Sequence, residues 1–289
     1  MVKTIVMSSH NIFTFTPPLS YGKGITNRNK MQKVKTSIEQ MVGIITLDHD
    51  EKRNSMSMDM LAEISAAFGE MKSQAVRAIV LRSNSGAKVW SAGLDISELP
   101  EPGKDPLPFD HPLERVMRQI ENSPAPVIAM VEGTVWGGGC DMVFTCDILI
   151  GSPLCSFAIT PAKIGVAYNA VGLGHFLNIV SMNIAKEMFF TAQPITSDRA
   201  YNLGIINHLI PLDELESFTM KMAHDISRNS PLAIAVIKEQ LNILGKARSM
   251  NAETFEHLTE LRRKAYNSQD FLEGKRSFLE KRPPVFRGE

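Results

Sequence analysis

Short runs rich in valine and isoleucine recur along this chain with helix-period segments set between them. That alternation constrains the fold more than any other feature. The runs fall at 42–47, 76–81, 127–131 and 148–150. Continuous β-branched stretches of this kind read as strands buried on both faces. Between the first two, Met60, Ile64, Ala67, Phe68 and Met71 recur at helical spacing, with Ser57 placed as an N-cap. A second helix is expected over 113–121, ending before Pro124. Strands alternating with helices imply an α/β core. Helical patterns then cover 184–190, 197–203, 212–227, 231–244 and 252–266, so a helical tail is expected to follow that core.

Two glycine-bearing segments sit where a strand-like run gives way to a helix-like one. The first is Ser91-Ala92-Gly93-Leu94-Asp95; the second is Trp136-Gly137-Gly138-Gly139-Cys140-Asp141. Glycine there lets a ligand approach the backbone closely. The first N–H groups of a helix have no partner inside it and point outward as donors. Two such donors converging on one carbonyl oxygen make an oxyanion hole, and removing one donor from such a hole costs about 3 kcal/mol of barrier.

Composition narrows the class. In a chain of 289 residues, 31 basic side chains balance 31 acidic ones. No charge excess therefore advertises a nucleic-acid or membrane surface. Cys140, Cys146 and Cys155 are too few and too apolar in setting for a disulfide framework or a metal site. They read as reduced, which fits an intracellular and, in this reading, cytoplasmic compartment. No apolar run is long enough for a transmembrane helix. Residues 1–32 stand apart: no acid precedes Glu39, while Lys3, Lys23, Arg28 and Lys30 are basic and Pro17-Pro18 favours a loop. The segment matches neither a secretory signal nor an arginine-rich transit peptide, and it is read as an irregular extension without an assigned function.

Taken together, Ser91-Ala92-Gly93-x-Asp95 and Val131-x-Gly133-x-x-x-Gly137-Gly138-Gly139-Cys140-Asp141 resemble the crotonase, or enoyl-CoA hydratase/isomerase, superfamily. So do Ile195-Thr196, Leu203-Gly204-Ile205-Ile206-Asn207, Asn229-Ser230-Pro231-Leu232-Ala233 and Phe278-Leu279-Glu280-Lys281-Arg282-Pro283. The resemblance implies a ClpP/crotonase-like spiral of ββα units over 33–225 and a C-terminal helical domain over 226–289. It also implies assembly as a homotrimer or a dimer of trimers, and an acyl-CoA substrate. CoA is then part of the substrate, and neither a separate cofactor nor a metal is expected. The two oxyanion donors would be the backbone N–H groups of Leu94 and Gly138.

The accompanying side chains discriminate between reactions. Hydratases of this superfamily carry two glutamates, at the positions of Asp141 and Pro161 here. Proline has no acid or base to offer, so the two-carboxylate mechanism loses a partner. The run Thr160-Pro161…Gly165-Val166-x-Tyr168-Asn169, together with Asp105-Pro106-Leu107, is similar to the bacterial methylmalonyl-CoA decarboxylase branch. In that branch the leaving CO2 supplies the electron pair and a tyrosine, matched by Tyr168, orients the carboxylate. This chain departs from the branch at Leu94, where a histidine is usual, and at Asp141, where a glutamate is. The resemblance further assigns Lys52, Arg53, Ala92, Gly93, Asp95, Ile96, Thr160, Lys281 and Phe286 to CoA or acyl binding. Three functions thus stand: decarboxylation of a branched malonyl-type thioester; a hydratase or isomerase reaction relying on Asp141; and a catalytically silent CoA- or RNA-binding relative, against which the balanced charge argues.

Overall fold

The computed structural model describes residues 32–246 and 251–288. The expected extension over 1–32 lies outside these but for its last residue. The chain begins with an antiparallel pair, β1 (Val34–Glu39) and β2 (Val42–Leu47), followed by α1 (Met58–Ser73), β3 (Ala78–Ser83) and β4 (Val89–Ser91). Next come α2 (Pro112–Glu121), β5 (Val127–Val131), β6 (Thr134–Trp136), α3 (Gly138–Thr145), β7 (Ile148–Gly151) and β8 (Ser156–Ala158). A 3-10 turn, Pro161–Ile164, leads into α4 (Ala170–Ile179) and α5 (Met182–Thr191). Then follow β9 (Ile195–Thr196), α6 (Ser197–Asn202), β10 (His208–Leu209), α7 (Leu212–Ser227), α8 (Pro231–Gly245), α9 (Ala252–Tyr266) and α10 (Gln269–Leu279).

Two sheets organise the core. The larger runs β1-β2-β3-β5-β7-β10, parallel from β2 onward; the smaller runs β4-β6-β8-β9. Successive short strands thus alternate between sheets, β3 to β4 and β5 to β6, before a helix returns the chain. That is the ββα repeat the resemblance implies. The central strands are apolar on both faces because both faces are covered. One face packs with α1, α2, α3 and α4 through Ile45, Leu47, Leu81, Ala129, Phe144 and Phe176. The other, Val42, Val80, Ile128, Met130 and Ile150, is closed by Leu215 and Ala223 of α7. Trp90, fully buried on β4, donates its indole N–H to Met130 O of β5 at 2.8 Å and so ties the sheets together.

Candidate active site

Three neighbouring parallel strands deliver the site. Ser91 at the end of β4 lies opposite Val135, and Trp136 at the end of β6 lies opposite Ala158 at the end of β8. Their carboxyl ends open on one edge, the place where parallel sheets hold ligands. Off that edge run Ala92-Gly93-Leu94, Gly137-Gly138 and Ile159-Thr160-Pro161.

Glycine is required where these segments meet. Gly93 takes φ +85°, and a Cβ there would stand 2.6 Å from Trp136 O and 3.2 Å from the Gly138 nitrogen. Gly137 takes φ 51° and ψ −120°, a conformation that side chains exclude, and this turns the N–H of Gly138 out at the head of α3. Leu94 is flanked by two backbone bonds, Met56 N to Gly93 O at 2.8 Å and Asp95 N to Met56 O at 3.2 Å. Its own N–H therefore faces away from Met56. Among the described residues, neither the Leu94 nor the Gly138 N–H donates to a protein acceptor. Both are free for a ligand oxygen.

These donors border a cavity of about 70 Å³. Of the sequence-predicted residues, Ala92, Gly93, Leu94, Ile96, Gly138, Thr160 and Tyr168 all line it, with Leu99, Pro106, Leu107, Leu113 and Val166. Thr160 and Tyr168 are the residues with polar side chains on the wall; among the described residues no Asp, Glu, His or Lys lines it. Tyr168 is not a loose loop side chain. Its ring stands edge-on to Phe176 and Phe189, at 5.8 and 5.0 Å between centroids, and its hydroxyl donates to Gly137 O at 3.3 Å. Burial, reinforced by Asp141, pushes the phenol well above its ordinary pKa and keeps its hydroxyl protonated.

Asp141 is not on the cavity wall. It sits one turn inside α3, 3% exposed, with Oδ1 2.6 Å from His175 Nδ1 on α4. The other ring nitrogen of His175 lies 3.5 Å from Glu121 Oε1, and Lys246 reaches the same Glu121 oxygen at 2.7 Å. Burial opposes charge on His175, yet the hydrogen bond to Asp141 and the nearby negative charges of Asp141 and Glu121 outweigh that and raise the imidazole to about 10. Glu114, also buried, accepts a bond from Asn169 Nδ2, and burial raises its carboxyl above the usual range. Together they form a charged cluster packed behind the oxyanion helix. Glu114, Glu121 and His175 were not anticipated. Nothing in the sequence sets these two glutamates of α2 apart, and His175 stands in an apolar, glycine-bearing stretch with no motif around it.

The remaining predicted residues lie outside the cavity. Lys52 and Arg53 are exposed on a turn whose backbone is joined to the site, since Arg53 O accepts from Ala92 N at 2.9 Å. Asp95 caps its own short turn by accepting from Ser97 N at 3.0 Å. Lys281 and Phe286 are exposed at and beyond the end of α10 and do not line the cavity.

The pattern described as Enoyl-CoA hydratase/isomerase matches residues 37–289. The chain belongs to this family. Among relatives, methylmalonyl-CoA decarboxylase of Escherichia coli (strain K12) is 45% identical over 247 residues, covering 86% of this chain and 95% of that one. The short-chain-enoyl-CoA hydratase of Clostridium acetobutylicum is 29% identical, covering 84% and 93%. A solved structure of methylmalonyl-CoA decarboxylase in complex with 2-nitronate-propionyl-CoA superimposes with a TM-score of 0.87 at 44% identity, covering 89% of this chain and 99% of that one. The crotonase architecture expected from the sequence is thus that of the family.

Proposed function

We propose that this protein converts methylmalonyl-CoA to propionyl-CoA and CO2. The observation that carries the reading is the make-up of the acyl cavity: two free backbone donors and a tyrosine hydroxyl, with no carboxylate or imidazole on its wall. A hydratase must activate water with a base. A decarboxylase needs none, because the breaking C–C bond supplies the electrons. The similarity to methylmalonyl-CoA decarboxylase over most of both chains supports the same choice.

In this reading the thioester oxygen lies between the N–H groups of Leu94 and Gly138. Tyr168 and Thr160 hold the carboxylate out of the thioester plane, which aligns the bond to be broken with the carbonyl π system. Heterolysis leaves the pair on Cα as an enolate, whose oxygen the two donors stabilise, while the carboxylate departs as CO2. The apolar wall also withholds solvation from the carboxylate in the ground state. A proton taken from water at Cα, leaving hydroxide to the solvent, completes propionyl-CoA. Asp141 takes no part in bond making; it fixes α3 through His175.

Lys52 and Arg53 stand where exposed cations suit the CoA phosphates, and Lys281 and Phe286 are proposed to meet the nucleotide end. No separate cofactor is invoked. Assembly as a homotrimer or a dimer of trimers is supported by the exposed apolar residues of α8, Leu232, Val236, Ile237, Leu241 and Leu244. Among the described residues no helix is long and apolar enough to cross a membrane. The three cysteines are buried and unpaired; a reducing, cytoplasmic location is proposed, with no nucleic-acid or membrane partner.

The test is mass spectrometry of products after separate incubations with methylmalonyl-CoA and crotonyl-CoA. Propionyl-CoA from the first is expected. A water adduct of crotonyl-CoA with methylmalonyl-CoA untouched would overturn the reading.

A further inference from the structure

Asp105-Pro106-Leu107 is a motif whose purpose the reaction does not explain. Pro106 and Leu107 line the acyl cavity together with Val166 and Tyr168. The segment has a built fold: Asp105 Oδ1 accepts from Leu107 N at 2.8 Å, closing an Asx turn. The other oxygen, Oδ2, is taken by Arg262 of α9, which comes from 157 residues further along the chain.

Arg262 does more than pair with that carboxylate. Its side chain is 11% exposed, and its Nη2 donates to Leu107 O while its Nε donates to Ala167 O, each at 3.4 Å. The guanidinium also lies over the Tyr266 ring, 5.9 Å from its centroid. The planar fork therefore joins two cavity-lining segments, one nitrogen bonding the carbonyl just before Tyr168 and two others the 105–107 turn. No lysine has the directed donors to do this. A cavity of about 70 Å³ is narrow enough that a small movement of either segment changes which acyl groups fit.

We propose that Arg262 is a positioning residue that holds the 105–107 turn against the segment before Tyr168, fixing the placement of both on the cavity wall, and thereby restricts the site to short branched acyl groups. This rests on the reading of the cavity as the acyl site. It does not require that the reaction be decarboxylation.

The experiment measures calorimetric affinities of propionyl-CoA, isobutyryl-CoA and hexanoyl-CoA for the full-length wild type, Arg262→Met, Arg262→Lys and Asp105→Asn, each checked for cooperative melting. Wild type is expected to favour the short thioesters. Arg262→Met is expected to narrow the propionyl-to-hexanoyl preference by about tenfold, the scale on which an apolar pocket separates acyl groups differing by a few methylenes. Arg262→Lys should lie between them, and the Arg262→Met, Asp105→Asn double variant should be no less selective than Arg262→Met. A merely structural arginine would lower the melting temperature and leave the preference intact. An unchanged preference in a folded Arg262→Met, or in Asp105→Asn should Arg262→Met not fold, overturns the proposal. Wild type that binds this ladder yet leaves methylmalonyl-CoA untouched would refute the decarboxylase reading alone.

Discussion

Two sides of the first turn of one short helix face opposite chemical worlds. At the N-terminus of α3 lies an apolar cavity whose polar equipment is two backbone N–H groups and two hydroxyls. One turn along, Asp141, His175 and Glu121 form a buried charged cluster that does not touch the cavity. On the proposed reading, the difference teaches that the reacting centre works by withholding charge, while the charged groups behind it serve rigidity. A carboxylate on the wall would repel the substrate's own carboxylate and offer a base the reaction does not use. Set behind the helix and neutralised by an imidazolium, the same carboxylate holds α3 in place. Taking two charges from water costs several kcal/mol per ion, so the cluster stabilises only as long as both partners remain.

Four changes would break or sharpen this contrast. The largest effect is expected from Gly93→Ala. The added Cβ meets Trp136 O at 2.6 Å and must spread the two donor segments. A loss of about 100-fold in kcat, as for a lost oxyanion donor, is predicted from steady-state kinetics with methylmalonyl-CoA. Tyr168→Phe removes the hydroxyl but keeps the aromatic packing against Phe176 and Phe189. It is expected to lower kcat about tenfold, or ~1.4 kcal/mol of barrier, with little change in melting temperature. Asp141→Asn should do the reverse. Chemical denaturation is predicted to show a loss of ~3 kcal/mol, as when one member of a buried pair is removed, whereas the rate per folded molecule changes by a small factor. If the rate collapses and stability does not, Asp141 is catalytic and the contrast fails.

The fourth test is the pH dependence of stability. His175 is raised to about 10 in the folded protein, against about 6.5 when unfolded. The folded state therefore binds the proton more tightly, and this contribution is complete below about 6.5. It declines as pH rises and is gone above about 10. The melting temperature of the wild type should fall across that window, and His175→Gln should flatten this slope. An identical slope in the variant would remove His175 from the account.

Much of the fold was legible because its signals are local. The runs at 42–47 and 127–131 coincide with β2 and β5, and the helix-period segments at 212–227 and 252–266 with α7 and α9. The run at 76–81 is displaced by two residues from β3, since Val76 and Arg77 lead into the strand without pairing in it. The smaller sheet escaped notice. Its strands are two or three residues long, too short to show a period. Helix α4 was missed as well, because Gly172 and Gly174 lower its propensity and its apolar residues mark no single face. At the site, Gly93 and Gly138 were readable because close backbone approach demands glycine. The Asp141–His175 pair, 34 positions apart, and the Arg262 clamp join residues that only the tertiary fold brings together.

The central claim is that departing CO2, and not a protein base, supplies the electron pair at Cα. The most direct test runs two incubations in D2O, one with methylmalonyl-CoA and one with propionyl-CoA alone. The account predicts that the first yields propionyl-CoA carrying one deuterium at C2. It predicts that the second keeps its C2 protons over the time in which the first substrate is consumed. Washout of those protons as fast as decarboxylation proceeds would reveal a base at Cα and contradict the account.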